Sequence, residues 1–179
     1  MDKPISHRRS IMVGSTSAGN GAMLVTLFRR GFRRITGSDY SKASLSLAAA
    51  VLQKNDCIGV SLEQDDITDS RLQGHFDLLL DKGTYDAIGL SVHAEHAKRA
   101  YRKSATSLMQ AHSVLVITSC NSTIGELRQD FEEDHIPGGD SMHLPSFQYL
   151  DHVRTYPRFK FGGIEGSHHC TVAFILKPS

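Results

Sequence analysis

The sequence predicts an α/β fold: a mostly parallel sheet with helices packed on it, ending in an antiparallel strand pair. Three observations predict it. From Ile11 to Thr118, short apolar runs alternate with helix-periodic segments, the pattern of strands joined by crossover helices. A Gly19-Asn20-Gly21 turn stands between the first apolar run and the first helix pattern. The last two strand patterns, 149–156 and 170–176, have no helix between them, so they pair antiparallel.

In chain order, residues 1–10 are polar and read as a flexible start, and 11–179 as a single domain. Ile11-Met12-Val13 is the first strand, apolar on both faces as in the middle of a parallel sheet. Residues 22–30 read as a helix, with Leu24, Leu27 and Phe28 as its inward stripe and Gly31 as its stop. Residues 34–37 are a second strand, leading to Ser38-Asp39. Ser41 is placed to cap a helix over 42–53, whose inner face is Leu45, Ala48, Ala49 and Leu52. Alternation over 57–62 predicts a third strand, and the apolar run over 76–81 a fourth. Residues 94–109 read as one long helix with Ala97, Tyr101, Ala105, Leu108 and Met109 inward, and 113–118 as a fifth strand. Ser122 or Thr123 caps a helix over 124–133, and 136–145 is a loop with Pro137, Gly138, Gly139 and Pro145.

Composition narrows the function. The chain of 179 residues is 40% hydrophobic and 22% charged, as in soluble globular domains. A formal charge of +1 argues against a nucleic-acid partner. Arg29, Arg30, Arg33 and Arg34 cluster at the end of a helix, where cations suit the dipole. No apolar run reaches membrane-spanning length, and residues 1–10 have no secretory apolar core. Cys57, Cys120 and Cys170 are scattered, which suits a reducing, cytoplasmic compartment. His93 and His96, and the run His168-His169-Cys170, match no zinc spacing, so no metal is expected. A monomer is expected.

The chemistry centres on the glycine turn. Glycine admits a tight turn and a close ligand, and the helix behind it offers free N–H groups. Asp39 stands 20 residues after Gly19, at the end of the next strand. That order suits a nucleoside: a carboxylate accepting from ribose hydroxyls at the carboxyl edge of a parallel sheet. The alternative for Asp39 is a turn aspartate serving the helix that follows.

The whole arrangement resembles the class I, seven-stranded, S-adenosyl-L-methionine-dependent methyltransferases, with a doubly wound Rossmann-like sheet and a C-terminal antiparallel hairpin. Gly31-Phe32, Gly37-Ser38-Asp39-Tyr40-Ser41, Asp81-Lys82-Gly83-Thr84-Tyr85-Asp86-Ala87-Ile88, Ile117-Thr118-Ser119-Cys120-Asn121 and Phe159-Lys160-Phe161-Gly162-Gly163 narrow it. These segments resemble the family that methylates a lysine of translation elongation factor 1-alpha. The resemblance covers the chain from about Ile11 to its end. In the first motif, roughly acidic-x-Gly-x-Gly-x-Gly, Ser15 and Ser17 take the acidic and first glycine positions, leaving Gly19 and Gly21. The family carries an aromatic-rich helix before its first strand, where this chain has residues 1–10. These two departures keep open a methyltransferase-like domain that binds a protein partner with impaired catalysis. A nicotinamide oxidoreductase is disfavoured, because a sixth parallel strand would replace the hairpin.

The resemblance implies roles for particular residues. Ser15, Ser17, Gly19, Gly21 and Asp39 line the cofactor turn, Tyr40 packs on the adenosine, Asp66 meets the adenine amino group and Ile67 flanks the base. Asp65 and Asp66 have a turn role as their alternative. Asp81, at the lip where the methyl group is presented, orients the lysine amine, with Asp86 second. A local salt bridge or helix cap is the alternative for Asp81. Asn121 and Cys120 line the lysine channel, and no histidine stands by Cys120 to make it a nucleophile. Phe159 and Phe161 are core or cleft wall.

Overall fold

A computed structural model describes residues 10–132, 146–154, 160–161, 164–165 and 169–178. The elements are β1 (Met12–Ser15), α1 (Ala22–Arg29), β2 (Arg34–Asp39), α2 (Lys42–Lys54), β3 (Ser61–Gln64), a 3-10 turn (Ile67–Asp69), β4 (Phe76–Lys82), α3 (Thr84–Gly89), α4 (Ala94–Ser107), β5 (Met109–Ser119), α5 (Ile124–Glu132), β6 (Phe147–His152), β7 (Lys160–Phe161), β8 (Ile164–Glu165) and β9 (Cys170–Leu176). Seven strands form one sheet in the order β3-β2-β1-β4-β5-β9-β6, and β7 and β8 form a separate ribbon. The pairs β1–β2, β1–β4, β2–β3 and β4–β5 are parallel, whereas β9 runs antiparallel to both β5 and β6. The expected antiparallel pair is therefore present, with β9 inserted between β5 and β6. Strand order reverses between β1 and β4, which opens a crevice at their carboxyl ends.

Local chemistry accounts for most boundaries. Ser41 Oγ accepts from the Ser44 N–H and caps α2. Thr123 and Glu126 form a reciprocal capping box at the start of α5: Thr123 Oγ1 accepts from the Glu126 N–H, and Glu126 Oε2 from the Thr123 N–H. Those bonds hold the Glu126 carboxyl below its usual range.

Several boundaries differ from the sequence expectation. The third strand is Ser61–Gln64 rather than 57–62. Asp56 and Gly59 have positive φ, the Cys57 N–H closes α2 on the Leu52 carbonyl, and Ile58 is 85% exposed. The alternating run thus begins in a helix end and a turn. The helix expected over 94–109 stops at Ser107, and Met109 opens β5. A separate short helix, α3, precedes it. The sixth strand starts at Phe147, two residues before the expected 149. Residues 1–9, the loop over 136–145, Tyr156, Phe159, Gly162, Gly163 and His168 lie outside the described residues, as does the Phe161 side chain.

Two cores hold the sheet. Leu24, Ile35, Ala48, Leu52 and Cys57 pack α1 and α2 against β2. A Cβ at Gly37 would meet Leu24 Cδ1 at 2.6 Å, so α1 sits directly on the bare backbone of β2. On the β4–β5–β9 side the centre is Phe131 of α5. Its ring lies 5.1 Å from Tyr85, 5.6 Å from Phe147 and 5.1 Å from Phe174, with Tyr101 edge-on at 6.3 Å. Removing it leaves four buried rings without their common neighbour. Phe131→Ala should therefore cost roughly 3–5 kcal/mol of unfolding free energy. Urea denaturation checks this, and a loss below about 1 kcal/mol would show that the cluster is not the core's centre.

Candidate functional site

A cavity of about 490 Å³ opens at the carboxyl ends of β1 to β4. That volume suits a small molecule or cofactor, since such sites run from about 300 to 1,000 Å³. Four turns build it. Thr16 and Ser17 follow β1, Asp39 and Tyr40 end β2, Asp65 to Thr68 follow β3, and Lys82 to Thr84 end β4. Ala87 and Ile88 of α3, Ser91 in the turn that follows and Ala97 of α4 supply the remaining wall.

The turn after β1 is shaped by two glycines. Gly21 has φ 77°, and a Cβ there would meet the Ala48 Cα at 3.0 Å. Any side chain at Gly21 would strain the backbone and push α1 off α2. Gly19 has φ 50° with nothing within 4 Å of a built Cβ. Its N–H donates to Asp39 Oδ2 at 3.0 Å, while Asp39 Oδ1 accepts from the Ser41 N–H at 3.0 Å. One buried carboxylate thus ties the glycine turn to the exit of β2 and the start of α2. Each of its oxygens keeps a lone pair, and the residue lines the cavity.

The other expected site residues divide into cavity walls and scaffold. Tyr40 is 78% exposed at the mouth, and Ile67 is buried in the wall. Asp66 Oδ1 accepts from the Thr68 N–H and hydroxyl, so it shapes its turn and also lines the cavity. Asp65 accepts from Ser70 Oγ and the Arg71 N–H. Ser17 lines the cavity and donates to the Lys82 carbonyl at 3.1 Å. Ser15 is buried, with its hydroxyl on the Ser17 carbonyl, and does not line the cavity.

Asp81 is 1% exposed and lies beneath the cavity floor. Its Oδ1 accepts from the Thr84 and Tyr85 N–H groups at the start of α3, and its Oδ2 from Thr16 Oγ1 at 3.0 Å. Burial pushes its carboxyl up to about 6 in spite of those bonds. Tyr101 is buried beside it, and burial together with the Asp81 charge raises the phenol.

Asp86 meets the opposite balance. Burial works to raise it, but donation from the Ser119 hydroxyl and from the Cys120 N–H and S–H holds it below the usual range. Ser119 Oγ in turn accepts from the Asn121 and Ser122 N–H groups. Asp86 therefore organises the exit of β5. The hydrogen bond to Asp86, helped by burial, raises the Cys120 thiol and quiets it as a nucleophile. Neither Asp86 nor Asn121 lines the cavity. Among the described residues no group of three or more His, Cys, Asp or Glu is placed to hold a metal ion, and no helix is long and apolar enough to cross a membrane.

Sequence reasoning missed Thr16, Lys82 and Thr84 as cavity residues, and the wall made by α3. Thr16 sits between the two serines that were singled out, and Lys82 and Thr84 lie in the quoted Asp-Lys-Gly-Thr segment, so position alone marked them.

Comparison with known proteins follows this geometry. The family described as methyltransferase domain matches residues 16–157. EEF1A lysine methyltransferase 2 of Danio rerio is 35% identical over 159 residues, which is 87% of this chain and 62% of that protein. The human protein of the same name is 33% identical, with 61% of its length covered. The chain thus spans about three fifths of these animal relatives. The protein-lysine N-methyltransferase EFM4 of Saccharomyces cerevisiae is 32% identical, over 96% of this chain and 72% of that one. Among solved structures, magnesium protoporphyrin IX methyltransferase from Synechocystis, with bound SAM, shares the fold at a TM-score of 0.66 and 14% identity, covering 96% of this chain and 73% of that one. By these matches, the chain belongs to the methyltransferase-domain family.

Proposed function

We propose that this chain is a cytoplasmic, S-adenosyl-L-methionine-dependent protein-lysine N-methyltransferase whose substrate is translation elongation factor 1-alpha. The observation that carries the reading is the cavity at the β1–β4 crevice, lined by Thr16 and Ser17 after β1 and by Asp39 at the end of β2. The relatives' names supply the acceptor. The residues fit an adenosyl ligand. Asp39 offers lone pairs to ribose hydroxyls, Gly19 leaves open space above the turn, and Tyr40 and Ile67 offer apolar faces to a base. Asp66 Oδ2, unpartnered among the described residues, is an acceptor for an exocyclic amine.

Held there by Asp39, Tyr40 and Ile67, S-adenosyl-L-methionine would supply an electrophilic sulfonium methyl group to an unprotonated lysine nitrogen, with the neutral thioether as the leaving group. The chain's part is alignment, and alignment by itself supplies several kcal/mol. An incoming lysine, with a reference pKa of about 10.4, must also lose its proton to water or by desolvation. Asp81 acts as a positioning residue: it fixes Thr16 on one side and the start of α3 on the other. Asp86 fixes the β5 exit, where Cys120 and Asn121 form the far lip beside the approaching amine.

Two outcomes test this. The purified chain, given S-adenosyl-L-methionine with a tritiated methyl group, should label a lysine of elongation factor 1-alpha, located by mass spectrometry. Cofactor binding with no label on the factor would instead favour a partner-binding, catalytically impaired domain. The second outcome concerns Asp81. Its folded pKa of about 6 lies above the ordinary 3.8, so the fold favours the protonated form. That contribution is fully present below about pH 4 and is lost as pH rises through about 6, a difference of roughly 3 kcal/mol. Asp81→Asn keeps the shape and removes the titration. Urea denaturation between pH 4 and pH 7 should show the variant gaining on the native chain by about that amount. Parallel stability curves would place Asp81 in a wetter site than the structure shows.

A further inference from the structure

The formal charge of +1 hides a division. Residues 11–55, spanning β1, α1, β2 and α2, carry six basic side chains against one acid, Asp39, a net +5. Residues 56–179 carry eleven basic side chains against seventeen acids, a net −6. Asp39 stands at the cavity, whereas five of the six cations stand at the opposite edge of the sheet. Arg29 and Arg30 end α1, Arg33 and Arg34 lead into β2, and Lys54 ends α2, which runs back from the carboxyl end of β2.

The end of a helix accounts for part of this cluster. Arg33 Nη1 donates to the Phe28 and Phe32 carbonyls at 2.6 and 2.8 Å, with its guanidinium 4.2 Å from the centre of the Phe28 ring, and so serves the negative end of α1. The other anchors lie outside that role. Arg29 Nη2 donates to Asn55 Oδ1 at 2.6 Å and ties the ends of α1 and α2 together. Arg34 Nη1 donates to the Ser10 carbonyl at 3.3 Å, just before β1. Each of these acceptors is a neutral oxygen, which fixes a guanidinium in place and leaves its charge standing. None of the ion pairs among the described residues involves Arg29, Arg33, Arg34 or Lys54. Asp56, two residues beyond Lys54, is the acid at the margin, and next to it in the chain Ile58 is 85% exposed.

We infer that this arginine face docks an acidic segment of a partner protein. A guanidinium offers a planar fork of N–H groups that a carboxylate takes with two bonds, and one already held in place loses less freedom on binding. The extent of the patch selects the partner. The remainder of the chain is acidic, so a long polyanion such as RNA is repelled beyond the patch, whereas a short run of Asp and Glu fits within it. The face lies at the amino end of the sheet, so a partner held there leaves the mouth of the cavity open. This docking is independent of what the cavity binds.

Fluorescence anisotropy of the full chain with labelled decaglutamate tests it, with labelled decauridylate as the rival polyanion. The native chain should bind decaglutamate the more tightly. Arg34→Gln together with Lys54→Gln should weaken decaglutamate roughly tenfold, as for two exposed charge-assisted contacts. Arg71→Gln together with Lys103→Gln removes the same charge from exposed positions elsewhere. That pair should leave the affinity within about twofold, because salt screens distant charges. Arg34→Lys together with Lys54→Arg keeps the charge and should keep most of the affinity. Circular dichroism confirms that each variant is folded. Equal losses in the two glutamine pairs would show a response to overall charge rather than to a built face, and would overturn the inference. Tighter binding of decauridylate would make the face a nucleic-acid surface instead, and no binding of decaglutamate to the native chain would remove the docking site altogether.

Discussion

The Asp39 carboxylate is the contact on which the site depends. Its two oxygens accept from the Gly19 and Ser41 N–H groups, in two segments that leave two different strands and enter two different helices. Without it, the glycine turn keeps its backbone bond from the Ala18 N–H to the Ser38 carbonyl but loses its side-chain anchor, and the entry to α2 loses the bond at the Ser41 N–H. A hydrogen bond to a charged group is worth about 1.5–3 kcal/mol, so the pair is strong enough to set the turn's shape. The same oxygens then face the cavity with their remaining lone pairs. This side chain thus both shapes the turn and lines the cavity.

Asp81 and Asp86 extend the same logic along the carboxyl edge. Each gathers the amides and hydroxyls that a strand exposes where it ends. They differ in how far the donors offset burial. Asp81 is sunk so deep that its carboxyl rises to about 6, whereas Asp86 meets enough donors to stay below its ordinary range. One therefore sits near the edge of ionisation at neutral pH and the other is firmly charged. Lys82, between them in sequence, is exposed and lines the cavity.

Much of this was legible in the sequence because it is local. The first strand, the glycine turn, α1, Ser41 as a cap and the last antiparallel pair follow from period, turn chemistry and the lack of a crossover helix. The 20-residue spacing from Gly19 to Asp39 was legible too, and it marks a direct hydrogen bond between them. The third strand was misplaced because Cys57 is buried by a helix end rather than by a strand, which alternation cannot distinguish. The helix α3 spans six residues, too few to display a period. Whether a carboxylate at a strand end faces the cavity or the floor depends on which amides come within reach. Asp39 and Asp81 look alike in sequence, and the start of α3 turns Asp81 inward.

The central claim is that Asp39 is both the girder of the turn and the nucleoside's ligand. Calorimetry of Asp39→Ala with S-adenosylhomocysteine tests it most directly, alongside circular dichroism to confirm that the variant is folded. Loss of a charged acceptor should weaken binding by tenfold or more, at about 1.5–3 kcal/mol for such a bond. Unchanged affinity in a folded variant would contradict the account and move the nucleoside away from the end of β2.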